Sequence, residues 1–207
     1  MVDTTSTYAM RPINMKEDEI DFCMASAQKG IMAMTGLSYI IGKKDIIEAS
    51  AEYPTRSYYC NLYMQYEYAK KHGEMHFTPP VQVIYSVRQA LKEYFEEGEM
   101  NKWARHQRVY AAIREGLTEL GFRIFIPKGQ EAELVAAAFY PEDPNCDFEK
   151  IHDYCYERGF TIYPGKVEKF GMFRLCALGA IDEPDIKDFF EVFKAALKEY
   201  NVTVPVK

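Results

Sequence analysis

The 207-residue sequence lacks several features that would assign it to a special class of protein. No apolar run reaches about 18 residues, the usual minimum for a membrane-spanning helix. No long basic run occurs and the formal net charge is −6, so nucleic acid and anionic membranes are poor candidate partners. The first residues, MVDTTSTYAMRP, have neither a basic start nor an apolar centre, so they do not resemble a signal peptide.

The cysteines and histidines form none of the usual ligand or disulfide motifs. The five cysteines contain no C-x-x-C pair and are far apart, at Cys23, Cys60, Cys146, Cys155 and Cys176. This spacing favours reduced thiols in a cytoplasmic protein. His72 and His76 are four residues apart, but Gly73 interrupts the helix that would align them, so we predict no metal site. G-x-S-x-G is absent, and T-G-L-S-Y-I-I-G-K-K lacks the spacing of a phosphate loop.

Hydrophobic periodicity predicts an α/β protein with two domains. In the first part, strands are predicted at 20–24 and 37–41, and helices at 43–50, 61–73, from 78 onward, and around 103–120. After Gly121, strands at 122–126, 133–140, 160–164 and 172–178 alternate with helices at 148–158 and 184–200, a pattern typical of a compact α+β unit. We place the domain change within 95–105 and assign the domains to residues 1–97 and 98–207.

The stretch F-C-M-A-S-A-Q-K-G-I-M-A-M-T-G-L-S-Y-I-I-G, residues 22–42, contains a single charge, that of Lys29. A lysine at a tight turn is ordinarily a solvated surface residue. Here the turn lies between two apolar segments, where burial would disfavour the charged amine and leave a nucleophile. Lysines of this kind form Schiff bases with carbonyl groups, including that of pyridoxal phosphate.

Three further residues have both a structural and a functional interpretation. Asp3 follows Val2 at the end of a strand that we expect to be buried, where a carboxylate is solvated, caps the next turn or is available to a protonated ring nitrogen. Thr78 is predicted to be the N-cap of a helix with Pro79 at its first position, and a hydroxyl there also suits a phosphate group. Arg174 lies among apolar residues in M-F-R-L-C-A-L-G. It is either an edge-strand residue paired with a surface acid or a fork for a substrate carboxylate or phosphonate.

The order of these motifs resembles that of a known enzyme family. An aspartate at a strand end is followed by S-A-Q-K-G, by F-T-P-P before a helix, and by Y-P-G-K and F-R-L-C-A-L-G-A-I. This order is similar to that of the class V, fold-type I aminotransferases that use pyridoxal phosphate. Within them, M-H-F-T-P-P-V-Q-V-I-Y-S-V-R-Q-A-L-K-E-Y-F-E-E-G and R-S-Y-Y-C-N-L-Y-M-Q-Y-E-Y most resemble the 2-aminoethylphosphonate–pyruvate aminotransferases.

The resemblance implies a role for each matching residue. Lys29 would form the Schiff base with pyridoxal phosphate and move the proton between C4′ and the substrate carbon. Asp3 would pair with the pyridine nitrogen, and Gln28 would contact the cofactor phosphate. Thr78 would contact the phosphate of the other subunit's cofactor across a homodimer interface, and Arg174 would hold the substrate acid group. The reaction would transfer the amino group of 2-aminoethylphosphonate to pyruvate, giving phosphonoacetaldehyde and L-alanine.

The resemblance also implies which part of the family fold is present. Residues 1–97 would be the C-terminal part of the large, cofactor-binding domain, and residues 98–207 the small C-terminal domain. Family members carry a substantial segment before the aspartate strand, so this chain would need that segment for activity. The alternatives are an alanine–glyoxylate or serine–pyruvate type aminotransferase, and a non-catalytic fragment that acts only in association. A cysteine desulfurase is a weaker alternative, because those enzymes usually have histidine where Gln28 stands.

Overall fold

The computed structural model describes residues 1–165 and 170–206, which form two compact units, Met1–Glu99 and Met100–Lys207. Lys166 of the Y-P-G-K string lies outside the described residues. The division falls two residues after the boundary that the sequence suggested, at the start of a long helix. The interpretation of the two units as parts of a large and a small domain stays a prediction.

Unit 1, residues 1–99, contains a small mixed sheet of three strands. They are β1 (Val2–Asp3), β2 (Phe22–Ser26) and β3 (Ser38–Gly42), in the order β1-β2-β3. β1 is parallel to β2, with Asp3 opposite Met24, whereas β2 and β3 are antiparallel, with Ser26 opposite Ser38. The turn that contains Lys29 therefore connects β2 to β3, as the sequence predicted. Both residues of β1 are exposed, so the expectation of a buried strand before Asp3 is wrong.

Three α-helices complete unit 1: α1 (Lys44–Ala49), α2 (Leu62–His72) and α3 (Val81–Glu97). The Asn61 side chain caps α2 by accepting a hydrogen bond from the Met64 backbone N–H at 3.0 Å. α2 ends at Gly73, whose φ of 71° is left-handed and suits a residue without a side chain. The helix therefore ends between His72 and His76, where the sequence predicted its end. Among the described residues, no group of side chains that could hold a metal ion is found.

Unit 2, residues 100–207, pairs an antiparallel sheet with three helices. The strands are β4 (Val135–Phe139), β5 (Tyr163–Pro164) and β6 (Met172–Cys176), in the order β4-β6-β5, and the helices are α4 (Glu99–Glu119), α5 (Phe148–Tyr156) and α6 (Glu183–Glu199). Asp182 and Asp185 form a capping box that begins α6. Side chains from α4, α6 and the sheet, among them Ile113, Leu117, Phe173, Phe189 and Phe193, form one large apolar core.

One predicted strand of unit 2 is largely absent. Within 122–126 only Ile124 pairs with Ala138, as an isolated bridge. The segment leaves the ladder as it approaches Pro127, which has no N–H to donate. Among the described residues, no helix is long and apolar enough to cross a membrane.

Candidate functional site

Lys29 lies in a tight turn that leaves the carboxyl end of β2. The turn is closed by backbone hydrogen bonds, including those from Ala33 N to Ala27 O at 2.9 Å and from Met32 N to Lys29 O at 2.8 Å. The Lys29 side chain is partly exposed, and its ammonium makes no hydrogen bond or ion pair within the described part of the chain. The amine is therefore held on a defined turn without a partner that would occupy it.

Gly30 fixes this turn against a second turn, residues 4–10. A Cβ atom at Gly30 would overlap the Tyr8 carbonyl oxygen and lie 2.6 Å from Cγ of Met10. Only glycine allows this close approach of two backbones. The residue after Lys29 is thus glycine because the two turns pack closely together. This contact places Lys29 beside the segment that follows Asp3.

Asp3 and Lys29 belong to the same edge of the sheet in unit 1. Because β1 and β2 are parallel, their carboxyl ends, at Asp3 and Ser26, point toward the same edge. Asp3 is opposite Met24, so β2 extends only two residues, about 7 Å, past it. In sheets with parallel strands, ligands bind at the carboxyl ends of the strands. The fold therefore brings Asp3, Gln28 and Lys29, which are distant in sequence, to one edge.

The carboxylate of Asp3 is oriented by the backbone that follows it. Its Oδ1 accepts a hydrogen bond from the Thr5 backbone N–H at 2.8 Å. Bonds from the Thr5 hydroxyl and N–H hold the pKa of the Asp3 carboxyl below its ordinary value. Asp3 is consequently ionised at neutral pH, and Oδ2 is available to a cationic donor. Gln28, at the exposed part of the turn, is also available to a ligand.

Two buried hydroxyl groups near this turn were not assigned a role from the sequence. Ser26 is the last residue of β2 and only 8% exposed, yet its Oγ has no hydrogen-bond partner among the described residues. The hydroxyl of Tyr39, on β3, is also buried and unpaired, and burial raises the pKa of Tyr39. An unpaired buried donor costs free energy unless a ligand satisfies it. Ser26 belongs to the S-A-Q-K-G motif, which was the available signal, whereas Tyr39 has no local signal.

The prediction that Thr78 caps α3 is wrong. α3 begins at Val81, its N-cap is Pro80, and no side chain caps it. The reason is the second proline: the residue before a proline is disfavoured in the α region, so Pro79 cannot begin the helix. Thr78 is exposed, and its hydroxyl has no hydrogen bond within residues 1–165 and 170–206. It is free for a ligand, although it does not lie at the helix start.

An aromatic cluster holds the segment that leads to Thr78. The His76 ring is stacked with the Tyr68 ring, with centroids 4.6 Å apart, and with the Phe77 ring, with centroids 4.5 Å apart. Tyr58 contacts both His76 and Phe77 edge-on. These contacts attach the residues before Thr78 to α2 and restrict their position.

Arg174 lies on β6, which is the central strand of the sheet in unit 2. The interpretation as an edge-strand arginine paired with a surface acid is therefore wrong, since no acidic partner occurs among the described residues. Its Nε instead donates to the Pro164 carbonyl at 3.1 Å. The other four predicted site residues belong to unit 1, so the fold places Arg174 in a different unit.

Comparison with known proteins agrees with this architecture. The class-V aminotransferase family model matches residues 1–166, and the chain belongs to this family. Its fold is that of the fold-type I pyridoxal-phosphate enzymes. Pyridoxamine–pyruvate aminotransferase from Mesorhizobium loti superposes with a TM-score of 0.86 at 19% identity, covering 99% of this chain and 53% of that chain. Ureidoglycine–glyoxylate aminotransferase from Bacillus subtilis superposes with a TM-score of 0.83 at 20% identity. The match covers 98% of this chain and 53% of that chain.

Among curated relatives, similar sequences are named 2-aminoethylphosphonate–pyruvate transaminase. The one from Cupriavidus necator is 32% identical over 203 residues, which cover 98% of this chain and 54% of the relative. The one from Lysinibacillus sphaericus is 34% identical over 198 residues, which cover 94% of this chain and 53% of the relative. The chain thus spans about half the length of the curated relatives that it matches.

Proposed function

We propose that this chain is part of an aminotransferase that transfers the amino group of 2-aminoethylphosphonate to pyruvate, with pyridoxal phosphate as cofactor. The observation that carries the proposal is the unpartnered amine of Lys29 at the sheet edge that also holds the ionised Asp3. The products would be phosphonoacetaldehyde and L-alanine, formed in a ping-pong cycle. The substrate assignment is supported by the names of the relatives that are about 30% identical.

The residues of unit 1 fit this cofactor. Lys29 offers a free amine for its aldehyde, and the orphan hydroxyl of Ser26, with Gln28, offers donors for its phosphate. Asp3, with its lowered pKa, offers a carboxylate for the protonated ring nitrogen. When bound, pyridoxal phosphate supplies an electron sink for the substrate carbon.

The chain's residues then have distinct tasks. Lys29 would hold the cofactor through its amine and would move the proton at the substrate carbon, and Asp3 would pair with the protonated ring nitrogen. Thr78 binds the phosphate of the other subunit's cofactor in a homodimer, and Arg174 holds the acid group of the substrate. We place the enzyme in the cytoplasm, since none of the five cysteines forms a disulfide, which is usual in reducing compartments.

Covalent capture of the cofactor tests the assignment of Lys29. Purified chain is mixed with pyridoxal phosphate, its absorbance spectrum is recorded, and borohydride reduction followed by peptide mass mapping locates the attached group. We expect the label on Lys29 and its loss in Lys29→Ala. Lys71→Ala, which removes an exposed lysine of α2, is the matched control and should bind normally. Absence of a labelled Lys29 at high cofactor concentration would favour a fragment that acts only in association.

Substrate choice is tested separately, on a version extended to the full length of the relatives. Amine donors are compared with pyruvate as acceptor, and we expect turnover of 2-aminoethylphosphonate. Strong turnover of alanine or serine, with none of 2-aminoethylphosphonate, would assign the protein to the alanine–glyoxylate or serine–pyruvate type instead.

A further inference from the structure

Tyr163 lies directly beside Arg174 on the sheet of unit 2. The two residues are opposite each other in the antiparallel ladder between β5 and β6. Directly opposite residues have their side chains on the same face, with Cβ atoms about 5 Å apart. The neighbours of Arg174 on β6, Phe173 and Leu175, are buried in the core. Arg174 and Tyr163 therefore share the face of the sheet that points away from that core.

The guanidinium of Arg174 is oriented so that only one of its edges is available. Its Nε–H is used by the Pro164 carbonyl at 3.1 Å. Nη1 and Nη2 have no partner among the described residues. An acid group therefore cannot bind the guanidinium side-on, through Nε and one Nη. It can bind end-on, through the fork of Nη1 and Nη2. That fork holds two oxygens of an acid group with two parallel hydrogen bonds.

The number of acid oxygens then distinguishes two kinds of substrate. A planar carboxylate has two oxygens, and the fork contacts both. A tetrahedral phosphonate has a third oxygen, which needs a further donor. On one side of Arg174 the register partner is Ala137, which has no side-chain donor. On the other side is Tyr163, which is 54% exposed and whose hydroxyl makes no hydrogen bond within the described part of the chain.

We propose that the Tyr163 hydroxyl donates to the third oxygen of a phosphonate held by Arg174, and thereby favours tetrahedral acid groups over carboxylates. This inference deepens the proposed function and rests on it, because it takes Arg174 as the ligand of the substrate acid. It makes Tyr163 a specificity-determining residue. Tyr163 is the first residue of the Y-P-G-K string, but the sequence motifs assigned it no role.

Three small amines of equal chain length test the inference by binding alone. They are 2-aminoethylphosphonate, 2-aminoethylsulfonate and 3-aminopropanoate, whose acid groups carry three, three and two oxygens. Each is titrated into the 207-residue chain, and binding is followed by NMR of the arginine side chains. In Tyr163→Phe we expect about tenfold weaker binding of the phosphonate and a clear loss for the sulfonate, the effect of one hydrogen bond to a charged group. Binding of 3-aminopropanoate should be unchanged.

Two further variants separate the possible failures. Tyr156→Phe removes the hydroxyl of another exposed tyrosine of unit 2 and should leave all three affinities unchanged. Arg174→Gln should weaken all three ligands. If Arg174→Gln does so but Tyr163→Phe affects the three ligands equally or not at all, the inference about Tyr163 is overturned and the role of Arg174 stands. If Arg174→Gln has no effect, the proposed role of Arg174 is wrong and the inference fails with it.

Discussion

The hydroxyl of Ser26 is buried at the end of β2 without a hydrogen-bond partner among the described residues. A buried donor of this kind costs about 1–3 kcal/mol, because it has lost its hydrogen bonds to water. Ser26 is the last residue of β2 and lies just before the turn that carries Lys29, so a hydrogen bond to a phosphate bound there would recover that cost. A residue that destabilises the free protein is thus suited to bind a ligand.

This reasoning gives a prediction with opposite effects on stability and binding. Ser26→Ala removes the unpaired donor, so the ligand-free protein should unfold at equal or higher urea concentration, with a gain of up to about 1 kcal/mol. The same change should weaken the binding of pyridoxal phosphate. Urea unfolding without cofactor and absorbance titration with cofactor measure the two effects.

A simple packing role for Ser26 would give the contrary result. In that case Ser26→Ala would lower the stability of the free protein and leave cofactor affinity unchanged. Ser57→Ala is a useful control, since Ser57 is an exposed residue of the same unit whose hydroxyl accepts a hydrogen bond from the Cys60 N–H.

At the scale of single elements, the cap of one helix makes the stability of the fold depend on pH. α5 begins after Asp147, whose Oδ1 accepts hydrogen bonds from the N–H groups of Glu149 and Lys150. The bond from Lys150 is the main reason that the pKa of Asp147 lies below its ordinary value of 3.8. Because the pKa is lowered in the folded state, the ionised cap stabilises the fold above 3.8, and this contribution disappears as the pH falls through the folded value.

The pH dependence is measurable with two variants. Asp147→Ala should lower the free energy of unfolding at pH 7. Its difference from the wild type should shrink as the pH falls below 3.8 and through the lower folded pKa of Asp147, below which both proteins lack the ionised cap. Denaturant unfolding at a series of pH values gives this difference. Asp188→Ala, on the exposed surface of α6, should change little at any pH. A difference for Asp147→Ala that stays constant down to the lowest pH would contradict the charged-cap explanation.

The elements also mark where sequence reasoning succeeded and where it failed. The strands around Lys29 were predictable, because short apolar runs bounded by glycines are a local signal. The start of α3 was misplaced because Thr78 and Pro79 match a helix start locally, while Pro80 excludes one. The strand at 122–126 was overpredicted, since its apolar residues are a local signal for a strand, whereas the segment leaves the ladder with β4 as it approaches Pro127.

For the whole molecule, the two units differ in how much apolar surface they bury. In unit 1 the buried apolar side chains are few and mostly small: Met10, Cys23, Ala25, Ala27, Ile31, Val87 and Ala90. Many large apolar side chains of this unit are exposed, including Ile40, Tyr58, Tyr59, Tyr85 and Phe95. Unit 2 contains the large core. Since burial of apolar surface is the main stabilising contribution, unit 1 should be the less stable unit.

The single tryptophan makes this difference testable. Trp103 lies on α4 in unit 2, so its fluorescence reports that unit, whereas far-UV circular dichroism reports both. In urea we expect the dichroism signal to begin falling at a lower concentration than the Trp103 signal. Pyridoxal phosphate should shift the early part of the dichroism curve to higher urea concentration, because a ligand stabilises the state that binds it. Coincident curves, with or without cofactor, would mean that the two units unfold together.

The sequence by itself determined the type of most elements, the position of the Lys29 turn and the family resemblance, because these depend on local patterns of apolar residues, glycines and motifs. Tertiary structure decided which of these residues meet. Parallel pairing of β1 with β2 brings Asp3 to the edge that holds Lys29, and antiparallel pairing of β5 with β6 sets Tyr163 beside Arg174. Strand pairing joins residues distant in sequence, so no local pattern contains it.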